Sequence, residues 1–266
     1  AIKVARKFHS TSGNIERNEI ITFKNSFHGR TLATLAAASN PLHMDGFSPI
    51  PDGFLNIPLD KDLLEKSITN KTAAILVEPV QGEGGINPIP DEFLVLIRKL
   101  CDENNILMIL DQVQCGMGRT GKLFSHERSG IEPDIITLAK GLGAGFPIGA
   151  VLSSDKASTG MSHGSHGSTF GGNPVGCSIA LKVLDLIEEE DILSNVNTAS
   201  KLLFKELDRL VAKHHNKISG TRGRGLMIGV ECIEKNSIIT DQAFKQGLLL
   251  VNASNNIIRL LPPLNI

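Results

Sequence analysis

Short, uniformly apolar runs alternate with amphipathic stretches along the first part of the chain. The apolar runs lie at 73–78, 106–111 and 134–139, and the apolar positions of 91–105 repeat with helical spacing. Strands that are apolar on both faces are typical of a parallel sheet covered by helices. The pattern therefore predicts an α/β fold whose polar chemistry lies at the carboxyl ends of the strands.

The pattern changes after residue 190. Residues 173–190 predict a long helix whose acidic end is typical of a boundary. Beyond it we expect an α+β arrangement, with helices over 194–215 and 240–246 and strands over 225–231, 247–251 and 257–261. We therefore divide the chain into a large domain, residues 1–190, and a smaller C-terminal domain, residues 191–266.

The sequence patterns at the two ends of the chain bear on whether the two predicted domains are complete. Residues 1–8 have the pattern of a helix interior with no cap before them, and the chain stops just after the Pro-Pro pair at 262–263. We expect a segment before residue 1 and a closing helix after residue 266, so that both domains are incomplete.

The composition of the chain gives no indication of a nucleic-acid or membrane partner. Of the 266 residues, 41% are hydrophobic and 21% are charged, as in an ordinary globular protein, and the net charge of -1 gives no field that favours nucleic acid or an anionic membrane. The four cysteines form no C-x-x-C pair, and no apolar run approaches the ~18 residues of a membrane span. We expect a cytoplasmic protein. His163 and His166 have no cysteine or carboxylate beside them, so no metal site is predicted.

Lys140 directly follows the apolar run 134–139 and precedes a glycine-rich loop, 141–145. A lysine amine in a partly desolvated pocket can attack a carbonyl carbon to form a Schiff base, although a lysine at a strand end is also commonly structural. The loop fits a nucleotide site poorly, because its glycines lack the G-x-G-x-x-G spacing and the lysine precedes them.

Asp111 ends a second apolar run, 29 positions before the lysine, and is followed by a polar, glycine-rich loop. A carboxylate there suits a cofactor whose ring nitrogen must stay protonated, since that ion pair keeps the ring an electron sink. An aspartate at this place can also simply close a loop. Together, Asp111 and Lys140 favour a functional site.

Six ordered segments, which cover nearly the whole chain, resemble the class III aminotransferases. They are Lys24 to Thr31 (KNSFHGRT), Val77 to Gly85 (VEPVQGEGG), Asp111 to Gly121, the segment around Lys140, His166 to Pro174 (HGSTFGGNP) and Ile258 to Pro263 (IRLLPP). The resemblance implies a pyridoxal-phosphate transferase of fold type I, with a mostly parallel sheet covered by helices and a smaller α+β domain. It also implies pyridoxal 5'-phosphate as cofactor and a homodimer with shared active sites.

The resemblance assigns cofactor roles to particular residues. Lys140 would form the Schiff base, Asp111 would pair with the ring nitrogen, and Gln114 would contact the 3-hydroxyl group. Phe27 would stack on the ring, and Thr169 would bind the phosphate from the neighbouring subunit. Gln112 and Val113, between Asp111 and Gln114, are expected among the cofactor contacts.

Four further residues are implied to bind substrates. Arg30 and Arg259 would each hold a carboxylate, because the guanidinium fork donates two hydrogen bonds to such a group. Glu83 would neutralise Arg259 when the amino donor is bound and release it for the keto acid. Ser168 would lie beside the substrate. Outside the resemblance, the arginines could form surface ion pairs, and Ser168 and Thr169 could cap a helix.

The expected reaction passes the terminal amine of N-acetylornithine to 2-oxoglutarate, a step of arginine biosynthesis. Ornithine, a succinylated diamine and 4-aminobutyrate are alternative donors. A catalytically silent cofactor-binding homologue is a second alternative, and a nicotinamide oxidoreductase is a distant third.

Two departures from the family pattern bear on activity. Gln112 stands where the family usually has glutamate, which removes a charge beside Asp111 and alters a supporting hydrogen-bond network. The family's Ser-Gly-Thr phosphate loop, which precedes the helix that here begins the chain, is absent from this sequence. We therefore expect a major share of phosphate binding to be missing from residues 1–266.

Overall fold

A six-stranded sheet forms the centre of the larger part of the chain in the computed structural model, which describes residues 1–266. Its strand order is β2-β1-β3-β6-β7-β8; the first five strands are parallel, and β8 is antiparallel to β7. The strands are β1 (Glu19–Phe23), β2 (Phe54–Ile57), β3 (Thr72–Val77), β6 (Leu107–Asp111), β7 (Ile135–Leu138) and β8 (Ala150–Ser153), and a small hairpin, β4 (Val80–Gln81) with β5 (Asn87–Pro88), follows β3. The predicted mostly parallel sheet is confirmed.

Helices cover this sheet on both faces. They are α1 (Ile2–Thr11), α2 (Leu32–Ala38), α3 (Pro41–Met44), α4 (Lys61–Ser67), α5 (Asp91–Asn104), α6 (Asp155–Ser158) and α7 (Pro174–Glu189). On one face, α5 buries Leu94, Ile97 and Cys101 against β3 and β6. On the other face, Ala5 and Phe8 of α1 pack against the same two strands. Each such fully buried aliphatic or aromatic side chain stabilises the fold by roughly 1.5 to 3 kcal/mol.

Helix α5 illustrates how the sequence determines an element. Asp91 and Glu92 occupy its first turn, where carboxylates interact favourably with the helix dipole. Its apolar residues recur every three or four positions and therefore share one face. The helix ends at Asn105, whose φ of 50° is the left-handed conformation that asparagine adopts more readily than most residues.

A four-stranded antiparallel sheet, in the order β11-β12-β10-β9, forms the C-terminal part. Its elements are α8 (Ile192–Lys213), β9 (Ile218–Arg224), β10 (Met227–Cys232), α9 (Asn236–Lys245), β11 (Val251–Ala253) and β12 (Ile257–Leu260). Val196 of α8 packs with the large sheet's elements, whereas Leu207 of the same helix packs on the small sheet. Because α8 belongs to both cores, the division at residue 190 stays a prediction.

Two strand predictions in this region need correction. The strand expected over 247–251 begins only at Val251, because Gly247 ends the turn after α9 with a φ of 81°, and Leu248 and Leu249 are exposed. The sequence pattern also missed β9, whose residues ISGTRGR are neither apolar nor strictly alternating. No helix of the chain offers a stretch both long and apolar enough to cross a bilayer.

Candidate active site

Three polar residues meet where three neighbouring parallel strands end. Glu78 follows β3, Asp111 ends β6, and Lys140 comes two residues after β7. These strands are adjacent in the sheet, so their carboxyl ends share one edge, where ligands bind in open α/β sheets. All three residues line one cavity, together with Phe27, His28, Gly29, Glu83, Val113 and Gln114.

Lys140 projects from a strained turn. It begins a short 3-10 helix over 140–143, and its φ of 47° is left-handed, a conformation that costs a non-glycine residue about 1 to 3 kcal/mol. Its Nζ makes no hydrogen bond or ion pair within the chain. The side chain is exposed, so residues 1–266 do not themselves supply the partial desolvation expected around it. The amine is free to react with a carbonyl group in the cavity.

Asp111 is held by three hydrogen-bond donors. The backbone N–H of Val113 and the hydroxyl of Thr137 donate to Oδ1, at 3.1 Å and 3.2 Å. The Nδ1–H of His28 donates to Oδ2 at 2.9 Å. These three donors fix the orientation of the carboxylate. The remaining lone pairs of Asp111 can accept from a cationic ring nitrogen.

His28 and Glu78 complete the floor of the cavity and were not among the predicted site residues. Burial lowers the pKa of His28, but the hydrogen bond and charge of Asp111 and the charge of Glu78 together outweigh it, so the pKa is raised. Burial, assisted by the charge of Asp111, raises the pKa of Glu78 to about 7 against the opposing effect of His28. The position of Glu78 after a buried strand was a signal for it, whereas nothing around His28 indicated its contact with Asp111.

Phe27 and Arg30 belong to the loop between β1 and α2. The backbone N–H of Phe27 donates to Oε1 of Glu78 at 2.7 Å, which fixes this ring beside the cavity. The Arg30 guanidinium lies 5.5 Å from the centre of the Phe27 ring, and its Nη2 is 3.2 Å from Nε2 of His43. Arg30 is exposed and does not line the cavity itself. Through its contact with the Phe27 ring, Arg30 is next to a residue that lines the cavity.

Arg259 reaches the cavity from the small sheet. It lies on β12, and its Nη1 donates to Oε1 of Glu83 at 2.7 Å and approaches Oε1 of Gln114 at 3.5 Å. The Arg259 side chain is 10% exposed and that of Glu83 is 44% exposed. The predicted pairing of these two residues is therefore present in the chain. Their ion pair is the only charged contact that the structure shows for Arg259.

Gln112 does not line the cavity, although it was expected among the cofactor contacts. Because side chains alternate along an extended chain, it points to the other side from Asp111 and Val113. Its amide donates to Nδ1 of His126 at 2.8 Å and accepts from the backbone N–H of Ser125 at 2.6 Å. The substitution of glutamine for the usual glutamate therefore affects a buried contact behind the site.

Ser168 and Thr169 are exposed and lie outside this cavity. Ser168 lines a different hollow, on the outer surface, together with Val151, Phe170 and Leu181. One chain does not bring these two residues to Lys140. Their roles stay predictions.

The cavity fits the ring and aldehyde of pyridoxal phosphate. It presents an unpaired amine, an oriented carboxylate, an amide and an aromatic ring, and Nε2 of His28 in its wall has no hydrogen-bond partner. A Cβ atom on Gly82 would collide with the side-chain oxygen of Gln114, so glycine is needed for that amide to occupy its place. Lys140 and His28 are the only basic residues among the lining side chains, so the phosphate must find most of its partners elsewhere.

Known proteins similar to this chain are aminotransferases. The acetylornithine aminotransferase of Mesorhizobium japonicum is 48% identical over 267 residues, which cover 100% of this chain and 67% of that protein. The ornithine aminotransferase structure from Toxoplasma gondii ME49 has a TM-score of 0.95 at 31% identity, over 99% of this chain and 65% of that one. A PLP-bound amine transaminase structure from an uncultivated Pseudomonas species has a TM-score of 0.91 at 29% identity, over 100% of this chain and 69% of that one.

The chain spans about two thirds of the length of the curated relatives it matches. The family model described as "Aminotransferase class-III" matches residues 1–266. With the lysine, the carboxylate and the sheet in the arrangement described above, the chain belongs to the class-III aminotransferase family.

Proposed function

We propose that the protein transfers the terminal amino group of N-acetylornithine to 2-oxoglutarate, a step of arginine biosynthesis in the cytoplasm. Pyridoxal phosphate is the cofactor of this family. The observation that carries the proposal is the convergence of Lys140, Asp111 and the Glu83–Arg259 pair on one cavity. The similarity to acetylornithine aminotransferases supports the choice of amino donor.

Each residue around the cofactor has a separate role in the proposed reaction. When bound, pyridoxal phosphate supplies an electron sink for the negative charge that develops at the carbon bearing the amine. Lys140 would hold the cofactor through its amine and, once the amine of the substrate has taken its place, would carry the proton to and from that carbon. Asp111 would accept the ring N–H, Gln114 would contact the 3-hydroxyl group, and Phe27 would stack on the ring, with Val113 among the cofactor contacts.

Two arginines hold the substrate carboxylates. N-acetylornithine reacts at its terminal amine, so its own carboxylate lies far from the reacting carbon and is held by Arg30. 2-Oxoglutarate reacts beside its first carboxylate and carries another at its far end, so it engages both Arg259 and Arg30. Glu83, already paired with Arg259 at 2.7 Å, must release it for the keto acid.

The proposal includes a homodimer in which Thr169 of one subunit binds the phosphate in the other and Ser168 lies beside the substrate. These residues lie on a surface that exposes Phe170, Val175 and Leu181. A contiguous apolar surface is typical of a protein interface. Cofactor affinity should therefore fall when the protein is diluted below its dimer dissociation constant. A monomer that binds the cofactor as tightly as the dimer would rule out this arrangement.

The central experiment asks where the cofactor attaches. We expect borohydride reduction of the intact protein with pyridoxal phosphate to add a pyridoxyl group to Lys140, detected by peptide mass spectrometry. A Lys140→Ala variant is the control and should show no label at this site. Absence of label on Lys140 in the unmodified protein would refute the proposal.

Turnover with different amines separates the candidate functions. N-acetylornithine should be the preferred donor over ornithine, succinylated diamines and 4-aminobutyrate. Ornithine is the second candidate, because the structure with a TM-score of 0.95 is an ornithine aminotransferase. A protein that carries the label on Lys140 but turns over none of these amines would be a silent homologue.

A further inference from the structure

Two ionisable residues that line the cavity have no role in the proposed reaction. His28 donates to Asp111, and Glu78 accepts hydrogen bonds from the backbone N–H groups of Phe27, at 2.7 Å, and Gly82, at 3.2 Å. The His28 side chain is 2% exposed, Glu78 is 5% exposed and Asp111 is 8% exposed. Three groups that can carry charge are therefore enclosed together at the ends of β3 and β6 and in the loop after β1.

The number of protons in this group is not fixed near neutral pH. If His28 is protonated and both carboxylates are ionised, the group has one uncompensated negative charge, which is costly away from water. One further proton removes that charge. Glu78 takes it, since burial raises its pKa to about 7 even with His28 nearby. The oxygens of Asp111, in contrast, already accept three hydrogen bonds.

Three other ionisable groups lie close to Glu78 and His28. Of these, Lys140 is the residue proposed to attach to the cofactor, and it is unchanged in every variant compared below. Lys140 and Glu83 face the same cavity, and Glu83 is paired with Arg259. Cys115 lies behind the cavity, and burial raises the pKa of its thiol to about 12, so it stays neutral near pH 7. Glu78 and His28 are therefore the groups whose proton count can respond to a ligand at Asp111.

We infer that Glu78 and His28 act as positioning residues which let the buried group release a proton when the positively charged ring of the cofactor binds at Asp111. The ring brings the missing positive charge, so the proton on Glu78 is no longer needed for neutrality and leaves to solvent. Because Glu78 accepts hydrogen bonds from Phe27 and Gly82, its charge is directly linked to the two loops that carry these residues. This inference rests on the proposed function, since it requires the cofactor to bind at Asp111.

Calorimetry measures the proton count directly. Pyridoxal phosphate is titrated into the cofactor-free protein in buffers of different ionisation enthalpy between pH 5.5 and 8.5, and the slope gives the protons released. Because burial raises its pKa to about 7, Glu78 holds part of a proton near neutral pH, so the unmodified protein should release a fraction of a proton more than Glu78→Gln. Protons from the cofactor, and from the Lys140 amine when it attaches to the cofactor, are released by both proteins and cancel in the difference.

Two further variants sharpen the test. His28→Gln removes the neighbouring cation, so the pH at which the extra proton is released should rise by roughly one unit or more. Glu92→Gln, at an exposed position of α5 outside the cavity, is the matched control, and its proton release should follow that of the unmodified protein. The inference is overturned if Glu78→Gln releases as many protons as the unmodified protein at every pH.

A second measurement observes the Glu78 proton without relying on a variant. Infrared difference spectra of protein containing ¹³C-labelled glutamate should show a protonated carboxyl band that disappears on cofactor binding at pH 7. Persistence or complete absence of that band contradicts the inference. If the cofactor does not bind at all, the proposed function fails as well; if it binds without the Glu78 proton leaving, only this inference fails.

Discussion

The ion pair between Glu83 and Arg259 should compete with a substrate carboxylate, and replacing Glu83 by glutamine should remove that competition. The pair is 2.7 Å long, and the only other acceptor near the Arg259 guanidinium is Gln114 at 3.5 Å. Nε of Arg259 is buried without a partner. In Glu83→Gln, Arg259 keeps its full charge and needs an anion.

The interaction free energy of the Glu83–Arg259 pair should lie between that of a surface ion pair and that of a buried one. Arg259 is 10% exposed, but Glu83 is 44% exposed. Surface pairs contribute about 0.2 to 1 kcal/mol, and close charge pairs at interfaces about 1.5 kcal/mol or more. We therefore expect Glu83→Gln to strengthen carboxylate binding by about 1 to 2 kcal/mol, which is roughly 5- to 30-fold in Kd.

Glutarate is a suitable probe, because it carries the two carboxylates of 2-oxoglutarate but has no keto group to react. Its Kd is measured by calorimetry for the unmodified protein, Glu83→Gln, Arg259→Gln and the double variant. The gain from Glu83→Gln should vanish in the double variant, because the freed cation is no longer present. An equal gain in the presence and absence of Arg259 would refute the reasoning, as would no gain in Glu83→Gln.

Three other predictions follow from the same geometry. Arg259→Ala should impair the keto-acid half-reaction most and Arg30→Ala both half-reactions, and single-turnover kinetics with equal damage from Arg259→Ala would contradict this. Gln112→Glu should raise the pKa of His126, whose pKa burial now lowers, because a carboxylate would replace the amide at 2.8 Å; an unchanged NMR titration would contradict this. Since the pKa of Glu78 is raised from 4.5 to about 7, the folded state holds a proton that the unfolded state loses, so the free energy of unfolding should fall as pH rises through that interval. Glu78→Gln should flatten this slope in urea titrations, and an equally steep slope in the variant would contradict the assignment.

The central strands and their terminal residues were predictable because they are buried on both faces. β3, β6 and β7 are predominantly apolar, so their ends are visible in the sequence as the points where polar residues begin. This pattern is what locates Asp111 and Lys140 in the sequence. The short outer strands β1 and β2 and the antiparallel β8 carry weaker patterns and were not identified.

Contacts between distant parts of the chain were not predictable from local patterns. His28 and Asp111 are 83 positions apart, and nothing in either segment specifies that their side chains meet. Gln112 was predicted to contact the cofactor because it lies between Asp111 and Gln114 in the sequence. Its side chain instead points away from the cavity, towards His126, since side chains alternate along an extended chain. The exposure of Lys140 depends on which other atoms surround the cavity, which the local sequence does not encode.

In the proposed site, the residues that bind the cofactor and Arg259, which binds a substrate carboxylate, come from different sheets. Lys140, Asp111 and Glu78 are fixed by three adjacent strands of one sheet, so their relative positions depend on the most deeply buried part of the fold. Arg259 comes from the other sheet and reaches the cavity through a single ion pair with Glu83. A change at Arg259 or Glu83 can therefore alter which carboxylate is accepted without disturbing the strands that hold the amine and the ring. Solved structures named for different aminotransferases have the same fold as this chain, and the proposed roles of Arg259 and Glu83 would let the accepted substrate change while that fold is kept.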